Sequence, residues 1–179
     1  MKIVFMGTPV FAIPVLSALL QAKHDIVAVY TRSDKPAGRG KPNSSPPVKL
    51  FAEKLDIPFI RQGSLSREVV RSELAKLCPD VIVVAAYGLL LPQSVISLAS
   101  RGCLNIHPSL LPKYRGPSPV ATAILEGEEE TGVTIMELDD GMDTGSIVTN
   151  AKVKILEGEN AEELTSRLFR LGADLLVQI

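Results

Sequence analysis

Short, almost wholly apolar runs alternate along this chain with segments whose apolar residues recur every three or four positions, and few folds accept that rhythm. The runs at 2–6, 25–31, 80–86 and 103–107 are continuous rather than alternating, the pattern of strands covered on both faces of a parallel sheet. Two further β-like runs lie at 132–138 and 146–155, and helical periodicity falls around 10–21, 47–55 and 65–77. Strand and helix in alternation predict an open, doubly wound α/β sheet. The last segment is the clearest helix: Ala161, Leu164, Leu168, Leu171, Leu175 and Ile179 share one face, and Asn160 with Glu163 forms a capping-box start. No Gly, Pro or basic cap closes it, so the chain is expected to be a domain cut from a longer protein.

Size and charge narrow the function. With 179 residues the chain is expected to form one domain, which needs no disulfide or metal staple. The 19 basic and 20 acidic residues leave a net charge of −1, so any contact with a polyanion must be local. The two cysteines, Cys78 and Cys103, lack CxxC spacing, and His24 and His107 are the two histidines, which argues against a metal site. The apolar run at 81–91 is about half the ~20 residues that a membrane span requires, and the N-terminal run is too short for a signal peptide. A reducing cytoplasm and no membrane partner are therefore expected.

The segment 31–49 breaks the α/β rhythm. Arg32, Lys35, Arg39, Lys41 and Lys49 face the single acid Asp34, among Pro36, Pro42, Pro46, Pro47, Gly38 and Gly40. Such a composition predicts a mobile basic loop, either a solvated connection or the local site where phosphates are met.

In open α/β sheets, ligands bind beyond the carboxyl ends of the strands, so the polar residues there are the first candidates. Asn105 and His107 are two apart on one extended run, so their side chains project to the same face. Asp143 sits in Gly141-Met142-Asp143-Thr144-Gly145, beyond another strand. Each has a plainer reading: His107 as a hydrogen-bonded histidine of the fold, Asp143 as the residue that closes an Asx turn. An amide, an imidazole and a carboxylate at one cleft edge favour chemistry. Other motifs fit poorly. Gly7-Thr8-Pro9 lacks the later glycines of a dinucleotide fingerprint, and Gly38-Arg39-Gly40-Lys41 runs into Pro42 rather than Ser or Thr. Ser109 has no Gly-x-Ser-x-Gly elbow, which disfavours a hydrolase triad with His107 and Asp143.

The stretch Asn105-Ile106-His107-Pro108-Ser109-Leu110-Leu111-Pro112-Lys113-Tyr114-Arg115-Gly116, with Gly132-Val133-Thr134 and Met142-Asp143-Thr144-Gly145, resembles the folate-dependent formyltransferase family. Gly7-Thr8-Pro9-Val10-Phe11 and 34–41 are similar to the branch of that family acting on aminoacylated tRNA, and the likeness runs over essentially the whole chain. The resemblance implies a Rossmann-like, mainly parallel catalytic domain. Its reaction would move a formyl group from 10-formyltetrahydrofolate to the amino group of initiator Met-tRNA, without a metal. It also implies a monomer, and a C-terminal β-barrel domain that helps hold the tRNA. Asn105, His107 and Asp143 match the family's catalytic groups. Leu90, Asp139 and Gly141 are expected around the pterin, and Ser109, Leu110, Leu111 and Pro112 as the floor beside the transferred group, with a cis bond between Leu111 and Pro112. Arg39 and Lys41 are expected to meet the tRNA. Pro117-Ser118 departs from the small pair, such as Ala-Ala, common there. The same three groups would also serve a formyltetrahydrofolate hydrolase, an amino-sugar formyltransferase or, without turnover, a folate-binding domain; the basic loop argues against the first two.

Overall fold

The structure, a computed structural model, describes residues 1–33, 35–36, 43–62, 64–65 and 68–179. Among the described residues nine strands form in chain order: β1 (Lys2–Gly7), β2 (Asp25–Arg32), β3 (Lys35–Pro36), β4 (Asn43–Ser44), β5 (Phe59–Gln62), β6 (Val81–Ala85), β7 (Cys103–His107), β8 (Glu130–Glu137) and β9 (Ile147–Lys154). The helices are α1 (Ile13–Gln21), α2 (Pro47–Lys54), α3 (Glu68–Lys76), α4 (Gln93–Ile96), α5 (Pro119–Leu125) and α6 (Ala161–Leu176). Seven strands make one sheet in the order β5-β2-β1-β6-β7-β8-β9. Its first five strands are parallel, and β8 and β9 join antiparallel.

The apolar runs bury both faces, as their lack of alternation predicts. In β1, Ile3 and Phe5 enter a core with α1, α2 and α6, whereas Val4 and Met6 enter a second core with Val70 and Leu74 of α3 and Val95 of α4. Full burial of each such side chain is worth about 1.5–3 kcal/mol over exposure, so the central strands hold the two helical layers together. Helix α6 packs on the first core through Leu164, Leu168, Phe169 and Ala173. Its N-terminus has the expected capping box: Asn160 Oδ1 accepts from the Glu162 and Glu163 amides, and Glu163 Oε2 accepts from the Asn160 amide. Gly172 lets it lie close, since a Cβ there would stand 2.7 Å from Ile106 Cγ2.

The segment expected to be loop from 31 to 49 is shorter at both ends. Thr31 and Arg32 belong to β2, with Thr31 fully buried, and α2 begins at Pro47, where a proline suits the first helical position. Between them, β3 and β4 form a two-residue antiparallel ladder. Of the prolines that argued against regular structure, Pro47 starts a helix and Pro36 sits within a ladder. Strand β5 had no strong sequence signal, because its four residues lie at the sheet edge and pair with β2 alone.

Candidate active site

The carboxyl ends of β6 and β7 open into a cavity of about 1210 Å³. Asn105, His107 and Asp143 all line it. Strand β7 lies between β6 and β8, with Asn105 opposite Val84 on one side and Met136 on the other. Register thus fixes where the amide and the imidazole stand. Among the described residues the Asn105 side chain makes no hydrogen bond, which leaves its amide to a ligand.

His107 is held differently. Its Nε2 lies 2.9 Å from the Tyr114 carbonyl oxygen, and because a carbonyl can only accept, Nε2 carries a proton. The other nitrogen, Nδ1, faces Asp143 Oδ2 at 3.6 Å. That spacing is an ion-pair contact, too long for a hydrogen bond, so a proton on Nδ1 is not consumed by Asp143. Both side chains are largely shielded from solvent, with 5% of His107 and 14% of Asp143 exposed.

The plainer reading of Asp143 as an Asx-turn residue does not describe it. Asp139 does that work: its Oδ1 accepts from the Gly141 amide at 2.9 Å and the Thr144 hydroxyl at 2.7 Å, closing the loop 139–145 on itself. Asp143, at a φ of 54° within the same loop, instead sends Oδ2 across to the Gly116 amide at 2.8 Å. A positive φ is uncommon for a residue with a side chain, though Asp tolerates it better than most. Here it goes with a carboxylate directed away from its own loop and toward His107.

Of the other expected contacts, Leu90, Asp139 and Gly141 line the cavity, and Leu90 and Met142 are strongly exposed apolar residues at it, 78% and 54%. Ser109, Leu110, Leu111 and Pro112, expected as the floor beside the transferred group, are not among the residues around this cavity. Ser109 is buried and its hydroxyl donates to the Lys113 carbonyl, while Leu110 lines a separate hollow. The Leu111 amide donates to Thr134 Oγ1, which in turn donates to the Ser109 carbonyl. Polar groups so engaged tie this stretch to β8 as a support. The Leu111–Pro112 bond is cis, as expected. Arg39 and Lys41 lie outside the described residues.

Two parts of the cavity escaped sequence reasoning. Phe11 and Phe169 line it with their ring centroids 4.8 Å apart, together with Ala161 and Thr165 of α6. Residues 158 apart in sequence give no pattern that would pair them. The Tyr114 carbonyl and the Gly116 amide are backbone groups, which side-chain chemistry does not announce.

The model of the formyl transferase family matches residues 1–179. The chain belongs to that family. It is 51% identical over its whole length to a methionyl-tRNA formyltransferase of Chloroflexus aurantiacus and 44% identical to one of Wolbachia pipientis, covering 58% and 60% of their lengths. The chain thus spans about three fifths of these curated relatives. Among solved structures it is similar to phosphoribosylglycinamide formyltransferases of Brucella melitensis (TM-score 0.75, 27% identity, 99% of this chain and 91% of that one) and Bacillus halodurans (TM-score 0.81, 24% identity, 99% and 92%). The sheet is the Rossmann-like sheet of formyl transferases, mainly parallel with two antiparallel strands at one edge.

Proposed function

We propose that this chain is the catalytic domain of an enzyme that moves the formyl group of 10-formyltetrahydrofolate to the amino group of initiator Met-tRNA in the cytoplasm. The observation that carries this reading is the hydrogen-bond geometry around His107: Nε2 is spent on the Tyr114 carbonyl, while Nδ1 faces a carboxylate at 3.6 Å beside an unengaged Asn105 amide. Donors and a proton acceptor then stand together in one cavity.

Attack of an amine on a formyl carbon forms a C–N bond and places negative charge on the former carbonyl oxygen. Asn105 donates an amide N–H to that oxygen, and His107, when Nδ1 is protonated, donates a second hydrogen bond. Such donors are worth about 2.7–4 kcal/mol each where they have been removed from comparable sites. Asp143 takes the proton that the attacking nitrogen must lose, directly or through one water, and passes it toward the leaving nitrogen as the old C–N bond breaks. The products are the formylated amine and tetrahydrofolate, and protons balance within the site. Leu90, Met142 and the 139–145 loop offer apolar and backbone surface suited to a flat pterin. Support for tRNA as the acceptor comes from the named relatives and from the basic composition around Arg39 and Lys41.

The test is formylation of Met-tRNA with 10-formyltetrahydrofolate, run beside a small amine, phosphoribosylglycinamide, as acceptor. Formyl-Met-tRNA with no formylation of the small amine is expected, with weaker tRNA use and unchanged folate binding in Arg39→Ala. Formylation of the small amine alone would move the chain to another branch of the family.

A further inference from the structure

Glu128 stands between α5 and β8 and does not line the catalytic cavity; with Leu110, Lys113 and Tyr114 it lines a separate hollow of about 190 Å³. Its Oε1 accepts from both the Lys113 ammonium and the Tyr114 hydroxyl. Tyr114 has a φ of 57°, a left-handed conformation that a bulky residue keeps only when its surroundings hold it. The carbonyl of this same residue receives the His107 Nε2 proton, and two residues on the Gly116 amide holds Asp143. Ser109 anchors the Lys113 carbonyl at 2.6 Å, so the backbone before Tyr114 has its own tie. The one hydrogen bond that the Tyr114 side chain makes among the described residues goes to Glu128.

We propose that Glu128 is a positioning residue: by pinning the Tyr114 ring it keeps the Tyr114 carbonyl on Nε2 of His107, and so leaves Nδ1 as the nitrogen that meets Asp143 and the substrate. Glu128 touches neither reacting group. An imidazole has two nearly equivalent neutral forms, and the hydrogen bond to one nitrogen selects between them. Release of the Tyr114 carbonyl lets the neutral ring carry its proton on either nitrogen, and it takes away the acceptor that holds Nε2–H in the doubly protonated ring, the form in which Nδ1 donates, so fewer histidines stand ready to react. Hydrogen bonds from Lys113 and Tyr114 hold the Glu128 carboxyl below its ordinary value, so the acceptor is charged at neutral pH.

This inference rests on the formyl-transfer reading for its kinetic consequence only, and nitrogen NMR of His107 in the substrate-free chain tests it separately. At a pH where the ring is neutral, the native chain is expected to show well-separated Nδ1 and Nε2 resonances, as for a single tautomer. In Glu128→Ala the two should move toward each other, and turnover should fall by up to roughly ten- to a hundredfold, the range known for metal-bound histidines that lose the partner of their second nitrogen. Tyr114→Phe, which deletes one hydroxyl and no charge, should reproduce the spectral change. Glu128→Gln keeps an acceptor for that hydroxyl and should restore the separated resonances. Unchanged His107 resonances in both Glu128→Ala and Tyr114→Phe would overturn the proposal, as would equal collapse in Glu128→Gln and Glu128→Ala. If native chain and variants alike fail to formylate Met-tRNA while the resonances follow the expected order, the substrate assignment falls and the positioning role stands.

Discussion

Two turns meet at His107 and Asp143, and they are held in opposite ways. The loop 139–145 is braced mainly from within: Asp139 caps it, and at Gly145 a Cβ would strike the Glu137 backbone. The turn 113–116 holds its shape through outside partners, Ser109 on the Lys113 carbonyl and Glu128 on the Tyr114 hydroxyl. One supplies the carboxylate, the other the backbone donor and acceptor that orient it and the imidazole. A loop stabilised by local bonds is written in a handful of adjacent residues; a turn stabilised from elsewhere depends on the whole fold.

The comparison breaks first at the chemistry. Asp143→Asn retains an oxygen for the Gly116 amide and loses the charge, so turnover should fall by about 10²–10⁴-fold with the melting temperature little changed, and His107→Ala should fall at least as far. Formylation rates beside thermal melting decide this; a variant of either kind with near-native turnover would remove the residue from the mechanism. A change at the internally braced loop should act on structure instead. In Gly145→Ala the new Cβ would lie 2.0 Å from the Glu137 carbonyl oxygen, a backbone atom that cannot swing aside. About 1–3 kcal/mol of stability should be lost, read from urea unfolding, with weaker binding of the folate. Asp139→Ala removes two exposed hydrogen bonds and should cost about 1 kcal/mol or less, raising KM for the folate more than it lowers kcat. A large loss of kcat at unchanged KM would show that Asp139 takes part in the chemistry.

The smallest effect should be a pH step confined to the 113–116 turn. Lys113 and Tyr114 lower the Glu128 carboxyl from its ordinary 4.5. A carboxyl lowered in the folded state stabilises it fully above the unfolded value and loses that contribution as pH falls through the folded one. Tyr114 ring signals should therefore shift on acidification below about pH 4.5 in the native chain, and that step should be missing in Glu128→Gln. Its persistence in the variant would assign the step to another group.

Much of the architecture could be read from residue pattern because burial on two faces demands unbroken apolar runs. Lys2–Gly7, Val81–Ala85 and Cys103–His107 are therefore visible without a partner in view. The α6 cap is equally visible, since Asn160 and Glu163 are three residues apart. The edge strand Phe59–Gln62 was not, for an edge needs little burial and carries little pattern. Likewise the prolines of 31–49 exclude a helix interior but not a helix start, which is what Pro47 became.

The candidate trio of Asn105, His107 and Asp143 shows the same division. Alternation along a strand is local geometry, so Asn105 and His107 had to face one way once β7 existed. Nothing local says which aspartate of the 139–145 loop serves the loop and which serves the site. That choice is made by the Gly116 amide, 27 residues from Asp143, and by a Tyr114 carbonyl 7 residues from His107. Residue type and spacing determined by themselves the layered sheet, the edge where the cavity opens and the titratable side chains that line it. Only the tertiary structure decided which nitrogen of His107 meets the Tyr114 carbonyl and which faces Asp143. Backbone groups carry no sequence identity, and their directions exist only once distant segments have packed.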